Sequence, residues 1–327
     1  MARGRRTPGE KRRRWLLGGI VAAIILDVVL VGVAVAGGAG ARDEGRLVAS
    51  TPGTTPSGSA APSAAPEATP SPTAIAASIG EVPTRLLSVV DDETAYRATV
   101  AACSATPAVL EKTTDGGATW TSSPVVADDG LSSLLRLNAV DSAQVDMVGW
   151  TPTSCAVGFT ATYTSGLAFG DYPDRLAGAW YRSPTAPNAV HAPGTTTEVT
   201  VPCDLVLSVA ANGFTGASVL CGDGSVLTTA DGGATWATLA VVPGASDVTI
   251  ADGATQVARV GQASCAGVEV STSPVDADPG DALTAVCVPV TATVGSDVAI
   301  SARSQDVWVW VDGATVRSLD GGATWLD

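Results

Sequence analysis

Short runs rich in Val, Leu and Ala alternate with turn signals through most of the chain beyond residue 86. The turns are Asn-Gly or Asp-Gly pairs, which favour the positive φ angles of two-residue hairpin loops. In two copies an Asp-Gly turn, at Asp223 and at Asp312, lies eight residues before an Asp-Gly-Gly sequence. This pattern predicts an all-β domain of repeated hairpins, whose clearest strands are Leu205–Ala211, Ala217–Cys221, Ser225–Thr229, Asp306–Val311 and Ala314–Ser318.

The hexapeptide Asp-Gly-Gly-Ala-Thr-Trp occurs three times, at residues 115–120, 231–236 and 320–325, each time two residues after a Ser or Thr. A carboxylate followed by two glycines suits a tight turn, since Asp accepts hydrogen bonds from nearby N–H groups and Gly tolerates positive φ. We expect the hydroxyl to donate to the carboxylate and the Trp to pack against a neighbouring repeat. These residues are therefore assigned a structural role, with no catalytic, cofactor-binding or metal-binding one: Thr113, Asp115, Gly117, Trp120, Thr229, Asp231, Gly233, Trp236, Ser318, Asp320, Gly322 and Trp325.

The pattern Ser/Thr-x-Asp-x-Gly-x-Thr-Trp resembles the Asp-box, or BNR repeat, of sialidase-like and photosystem-assembly-factor-like β-propellers. The resemblance implies that each motif is a hairpin corner away from any active site, within a blade of four short strands. Two stretches, around residues 134–165 and 248–273, have the same rhythm without the complete motif, and they match each other near Cys155 and Cys265. We expect a β-propeller of five blades over residues 80 to 327, or of six if residues 165–200 form a blade of their own.

Upstream of the propeller the composition changes twice. Residues 1–14 hold seven of the eighteen basic residues, and the following stretch, Leu16–Ala36, carries one charge, that of Asp27. This predicts a basic cytoplasmic tail (1–14) and one transmembrane helix (15–37), with the C-terminal bulk outside the cell membrane. A signal peptide cleaved after Ala34-Val-Ala36 is the alternative.

Residues 38–74 are rich in Pro, Ser, Thr and Ala, which predicts a disordered linker and leaves residues 75–327 as the ectodomain. The last motif ends at Trp325, so the final blade has little chain left for an outer strand. Since an unpaired strand edge recruits other chains, we expect Ile75–Val82 to pair with the last blade and close the ring.

Charge and cysteine usage fit an extracytoplasmic location. Beyond residue 42 the chain has ten basic and thirty acidic residues, and this negative charge makes nucleic acid a poor partner. The Lys-poor, Ala/Val/Gly/Thr-rich composition resembles that of actinobacterial proteins. No Cys/His cluster with zinc spacing occurs, so no metal or other cofactor is expected.

All six cysteines lie in the ectodomain and predict three disulfides. The internal repeat favours pairing Cys155 with Cys203 and Cys265 with Cys287, which leaves Cys103 with Cys221. A local bridge between Cys203 and Cys221 is the alternative.

The chemistry-bearing residues do not identify an active site. Sialidases of the resembling family use an arginine cluster, a Tyr nucleophile with a Glu partner, and an Asp acid/base, and the arginine motif preceding their first Asp-box is not recognisable here. Thirty acidic residues neither exclude nor locate a pair of glycosidase carboxylates. We therefore expect a membrane-tethered, extracytoplasmic module that binds a protein or cell-envelope partner, with a sialidase-like glycoside hydrolase as the alternative. Its candidate contact surface consists of aromatic residues that could instead pack the second blade: Phe169, Tyr172, Trp180 and Tyr181.

Overall fold

A computed structural model describes residues 82–274, 277, 278 and 280–326. These residues form six antiparallel sheets, each built from a continuous stretch of chain. The first strand of each sheet contacts the first strand of the next, and that of the sixth sheet contacts that of the first, so the sheets form a closed circuit. The architecture is therefore an all-β, six-blade β-propeller.

Blades 1 to 3 occupy the first half of the ring. Short Val- and Leu-rich segments form their strands because alternate side chains can pack between neighbouring blades. Blade 1 contains β1 (Arg85–Val89), β2 (Ala95–Thr99), β3 (Val109–Thr113) and β4 (Thr121–Pro124); blade 2 contains β5 (Ser133–Ala139), β6 (Val145–Trp150), β7 (Val157–Thr162) and β8 (Gly170–Asp171); blade 3 contains β9 (Tyr181–Arg182), β10 (Ala189–His191) and β11 (Val199–Thr200).

Blades 4 to 6 follow in chain order. Blade 4 contains β12 (Val206–Asn212), β13 (Gly216–Cys221), β14 (Ser225–Thr229) and β15 (Ala237–Val241); blade 5 contains β16 (Ala245–Ala251), β17 (Ala254–Gln262), β18 (Cys265–Thr272) and β19 (Thr284–Val288); blade 6 contains β20 (Val298–Arg303), β21 (Asp306–Val311) and β22 (Ala314–Ser318). Leu326 forms a single antiparallel bridge to Arg317, which places Leu326 beside β22 at the outer edge of blade 6.

The expected count of five blades is wrong, and the alternative of six is confirmed. The additional unit is blade 3, whose strands span only two or three residues each. Its connection from blade 2 contains a 3₁₀ helix, Pro173–Gly178. Strands this short show no alternation of apolar and polar positions, so the hydrophobic pattern does not reveal them.

Side-chain hydroxyls connect neighbouring blades around much of the ring through their inner strands, the inner strand being the first strand of each blade. At four of the six blade interfaces, a hydroxyl on one inner strand accepts a hydrogen bond from a backbone N–H of the next. The donor–acceptor distances are 2.8–3.2 Å, for Ser208 with Val248, Thr249 with Ala302, Ser301 with Val89, and Ser88 with Ala139.

The ring closes between blades 6 and 1 through side chains. Trp308 and Trp310 of β21 pack with β1 and with Trp120 in one apolar cluster. The Arg97 guanidinium lies 3.9 Å from the Trp120 ring centroid and 4.6 Å from that of Trp310. The backbone N of Thr84 donates to Asp297 Oδ2 at 2.7 Å, which fixes the start of blade 1 to blade 6.

Several expectations concern residues outside the described part of the chain. These are the cytoplasmic tail, the transmembrane helix, the linker and residues 75–81 of the proposed closing strand. Val82 is described, and it packs against the cluster shared by blades 4 and 5. Within the described ranges, no helix has both the length and the apolar character needed to cross a membrane.

Three disulfides are present, and the pairing corrects the expectation. Cys265–Cys287 is confirmed, and the alternative pair Cys203–Cys221 joins the segment that precedes β12 to β13 of blade 4. The pairs Cys155–Cys203 and Cys103–Cys221 are wrong, because Cys103 is bonded to Cys155 and ties blade 1 to blade 2. Blade 3, which the repeat count omitted, separates Cys155 from Cys203 in the ring.

Candidate ligand-binding cavity

The three DGGATW turns follow the third strand of blades 1, 4 and 6 and share one set of hydrogen bonds. In blade 1 the Thr113 hydroxyl donates to Asp115 Oδ1 at 2.7 Å, as expected, and Thr119 N donates to the same oxygen at 2.9 Å. Gly117 N donates to Thr113 Oγ1 at 3.0 Å. Equivalent bonds hold the turns at Asp231 and Asp320.

The same hydrogen bonds set the charge of these carboxylates. The hydroxyl of the Thr four residues further on makes the largest contribution, and the pKa values of Asp115, Asp231 and Asp320 are lowered from 3.8 to about 2. All three groups lie at the protein surface and are held as anions by their own turn. The turns are therefore complete without a ligand.

Each of these turns also packs against the preceding blade, as expected. Trp120 contacts blade 6, Trp236 belongs to the cluster shared with blade 3, and Trp325 belongs to the one shared with blade 5. Gly233 has a φ of +84°, and a Cβ there would lie 2.7 Å from a methyl carbon of Val199. The turn therefore needs glycine both for its conformation and for its close approach to blade 3.

Blade 2 contains a fourth turn of this kind that the sequence comparison missed. Thr162–Phe169 follows the same order, with Thr164 in place of the Asp, Gly166 in place of the second Gly and Phe169 in place of the Trp. Gly166 N donates to Thr162 Oγ1 at 3.0 Å, and Ala168 N donates to Thr164 Oγ1 at 2.8 Å. The spacing Thr-x-Thr-x-Gly-x-x-aromatic was the available signal.

The four aromatic residues expected to form a contact surface lie mainly in the packing between blades. Trp180 is 2% exposed and Tyr181 is 7% exposed, so their assignment to a contact surface is wrong. Phe169 is half-buried against the core of blades 1 and 2, as the position of a turn aromatic requires. Tyr172 is half-buried in the cluster that also contains Tyr181. The alternative interpretation, that these residues pack blades, describes them better.

The inner strands of all six blades line a central cavity of about 430 Å³. This volume is within the range of about 300–1,000 Å³ common for small-molecule sites. The lining is mixed, and its half-buried apolar side chains are those of Leu86, Leu135, Leu137 and Ile250. Leu134, Leu207 and Ile300 are buried in the packing between blades.

Four arginines, half of those beyond residue 82, also line this cavity: Arg85, Arg136, Arg182 and Arg303. Arg85 donates to the carbonyl oxygen of Asp297, and Arg303 donates to that of Val140 at 2.8 Å. The guanidinium groups of Arg136 and Arg182 have neither a hydrogen bond nor an ion pair to any residue within the described ranges. Burial lowers the pKa of both, although nearby Asp146 offsets this at Arg136. A guanidinium remains protonated in proteins, so two positive charges lie here without a described partner.

Asp247 is the one acidic residue among the described residues that line the cavity. Its Oδ2 accepts from Ile300 N at 2.9 Å, and its Oδ1 accepts from Val248 N at 2.8 Å. Burial between the inner strands raises its pKa to about 7 despite these bonds, and the neighbouring Asp297 adds to the rise. Close to neutral pH Asp247 can therefore carry a proton, and its negative charge is only partly present.

The cavity has the opposite charge to the rest of the described chain. Outside it, the remaining arginines are largely engaged, for example Arg97 with Glu111, Arg175 with Asp146 and Arg259 with Glu269. No group of three or more His, Cys, Asp or Glu residues suited to a metal ion occurs among the described residues. The arrangement suits recognition of an anion.

No protein-family model matches the sequence, and neither does any curated protein. Solved propeller structures do resemble the chain. YCF48 from Cyanidioschyzon merolae is 16% identical with a TM-score of 0.31, and the match covers 73% of this chain and 70% of YCF48. A GH74 xyloglucanase from Xanthomonas campestris is 18% identical with a TM-score of 0.29, over 74% of this chain and 37% of the enzyme. The SapL1 lectin, solved with alpha methyl fucoside, is 9% identical with a TM-score of 0.47, over 76% of this chain and 96% of the lectin. These similarities concern the fold alone.

Proposed function

We propose that this protein is a membrane-tethered, extracytoplasmic binding module whose ligand or partner enters the central cavity of the propeller. The observation that carries the proposal is that a cavity lined by all six blades contains two guanidinium groups with no partner among the described residues, those of Arg136 and Arg182. The membrane tether rests on the apolar segment Leu16–Ala36 with its basic flank, and the extracytoplasmic side rests on the three disulfides.

Binding fits the cavity better than glycoside hydrolysis does. Glycosidases place two carboxyl groups about 5–9.5 Å apart, one on each side of the scissile bond. Among the described lining residues, Asp247 is alone, and its oxygens already accept backbone hydrogen bonds. The arginines, by contrast, can bind an anion without further chemistry.

Site-specific crosslinking tests this function on the full chain in its native membrane. A photo-crosslinking residue at Asn138, which lines the cavity, should yield an adduct detectable by intact-protein mass spectrometry. The matched position is Ala118, an exposed residue of the blade 1 DGGATW turn, which should yield none. Equal adducts from both positions, or an adduct from Ala118 alone, would contradict a cavity-directed binding module.

A panel of fluorogenic glycosides tests the alternative on the purified full chain. We expect no turnover. Turnover that persists through purification and disappears in Asp247→Asn would instead establish hydrolysis and overturn the binding proposal. The two assays together separate a ligand that is bound from one that is cleaved.

A further inference from the structure

The positions of Arg136 and Arg182, whose guanidinium groups have no partner in the described part of the chain, restrict the kind of ligand. Arg136 belongs to β5 and Arg182 to β9, and these inner strands contact each other as neighbours in the ring. Two neighbouring inner strands therefore each contribute one arginine to the lining of this cavity. Charged groups away from bulk water are stable only when paired, and a planar guanidinium pairs best with a carboxylate or a phosphate.

The apolar lining favours one of these two anions. Leu135 and Leu137 share β5 with Arg136, Ile250 lines the cavity from blade 5, and all three side chains are half-buried. Inorganic phosphate has only polar oxygens and would leave this surface unfilled. A molecule with a carboxylate at one end and an apolar body at the other would match both parts of the lining.

Asp247 fits the same ligand. As the single acidic group among the described lining residues, it would repel a bound anion if it were ionised. The charged neighbour of Asp247 is Asp297, whose negative charge favours the neutral form of Asp247. Asp247 takes part in none of the described ion pairs. In the protonated form it can donate an O–H to a carboxylate, which gives a strong hydrogen bond.

We propose that the ligand of the central cavity is an organic carboxylate, whose charged end is bound by Arg136 and Arg182 and whose apolar body packs against the leucine and isoleucine side chains of the inner strands. This inference rests on the proposed binding function and specifies the chemical class of its ligand. The carboxylate can belong to a free small molecule or to a group that a larger partner presents.

Matched probes test this inference on the purified full chain in detergent. Phenylacetate and phenylacetamide have nearly the same shape and differ in charge, and inorganic phosphate supplies an anion without an apolar body. Titration calorimetry should show saturable binding of phenylacetate. Phenylacetamide should bind about tenfold more weakly or worse, because it lacks the negative charge that pairs with the guanidinium groups. Equal binding of the acid and the amide would overturn the inference.

Variants assign the binding to the two arginines. Arg136→Gln and Arg182→Gln should each weaken phenylacetate binding by about tenfold or more. Arg259→Gln is the matched control, because Arg259 is paired with Glu269 outside the cavity, and it should bind as the unmodified protein does. If a glutamine variant fails to fold, Arg136→Lys and Arg182→Lys retain the charge, and they should keep the preference for the acid with reduced affinity. Unchanged affinity in the folded arginine variants would overturn the assignment.

The remaining outcomes separate this inference from the function on which it rests. Tighter binding of phosphate than of phenylacetate, with the same dependence on Arg136 and Arg182, would contradict the carboxylate class but retain the anion site. An adduct from Asn138 without phenylacetate binding would overturn the inference and leave the binding function standing. Binding of both the carboxylate and phosphate at equal strength would remove the role given to the apolar lining.

To distinguish the sources of the carboxylate, phenylacetate is added to the crosslinking reaction in membranes. Loss of a macromolecular adduct from Asn138 indicates a carboxylate presented by a larger partner. Loss of a small-mass adduct indicates a free acid. An adduct that excess phenylacetate does not reduce would contradict the proposed ligand class.

Discussion

Aspartates at the outer turns and in the inner cavity have opposite pKa shifts. At the outer turns, hydrogen bonds lower the pKa values of Asp115, Asp231 and Asp320 to about 2. On inner strand β16, burial raises the pKa of Asp247 to about 7. The outer group stabilises its turn as an anion, whereas the inner one can exchange a proton close to neutral pH.

This difference separates the residues that repeat from blade to blade from those that occur in one blade only. The outer turns repeat because each corner must accept the same hydrogen bonds and contact the preceding blade in the same way. The cavity lining differs from blade to blade, with Arg136 in blade 2, Arg182 in blade 3 and Asp247 in blade 5. The residues that recur therefore maintain the architecture, and those that occur once provide the candidate site.

The largest predicted effect is on stability at an outer turn. Trp120→Ala should lower the free energy of unfolding by about 3 kcal/mol, because it empties part of the cluster that closes blade 1 against blade 6. Denaturant unfolding of the full chain measures this. The control is Leu167→Ala in the blade 2 turn, since Leu167 is 89% exposed, and its effect should stay within about 0.5 kcal/mol. Equal losses in both variants would refute the packing role of the turn Trp.

The second prediction concerns Asp247 and the pH range from about 4 to about 7. Its pKa is 3.8 when unfolded and about 7 when folded, so in this range the native state binds more protons and stability falls as pH rises. We expect a loss of about 2 kcal/mol, roughly half the full conversion of the shift, because solvent in the cavity screens the charge. In Asp247→Asn the free energy of unfolding should depend much less on pH over this range.

The charged groups around Asp247 define the control for that measurement. Asp297 raises its pKa, and Arg85, Arg136, Arg182 and Arg303 share the cavity with it. The arginines stay protonated throughout this pH range, and the outer aspartates titrate below it. A slope between pH 4 and pH 7 that is identical in Asp247→Asn and in the unmodified protein would contradict the assignment.

The third prediction concerns the acid side and has the opposite sign. The folded pKa values of the outer aspartates lie below the unfolded value of 3.8, so the stability they contribute is present above about pH 4 and is lost as pH falls through about 2. The combined change of Asp115, Asp231 and Asp320 to Asn should make the melting temperature less sensitive to pH in this range. A steep fall of the melting temperature below about pH 4 that persists in the triple variant would show that these aspartates do not cause it.

The smallest predicted effect is a repair of the blade 2 turn. Thr164→Asp should raise the melting temperature slightly, because an Asp can accept hydrogen bonds from the Thr162 hydroxyl and from Ala168 N. The gain is limited because Ala168 lacks the hydroxyl that Thr119 provides in blade 1. Thr164→Ala is the matched control and should lower the melting temperature. A drop in both variants would show that this segment is not a turn of the same kind.

The fold was largely predictable because its signals are local. A hexapeptide that occurs three times defines the corners, and Asn-Gly and Asp-Gly pairs define many hairpins. Blade 3 lacks both signals, and its strands are too short to show a period. The omission of this one blade also produced the wrong partners for Cys155 and Cys203, since symmetry arguments depend on a correct count.

The candidate site could not be predicted in the same way. Arg136, Arg182 and Asp247 are far apart in the sequence and belong to three different blades. Their proximity to one cavity becomes visible only when the inner strand of each blade is known. The prediction for the aromatic residues near Tyr181 was wrong for the converse reason. These residues are close together in the sequence, but they pack between blades and do not form one surface.

The central claim is that the cavity selects an anion, and the ratio of phenylacetate to phenylacetamide affinity, measured at pH 6 and pH 8, tests it most directly. Asp247 is mostly neutral at pH 6 and mostly ionised at pH 8, so the account predicts a ratio of about tenfold or more at pH 6 and a smaller one at pH 8. The difference between the two pH values should disappear in Asp247→Asn. A ratio close to one at both pH values would contradict the claim.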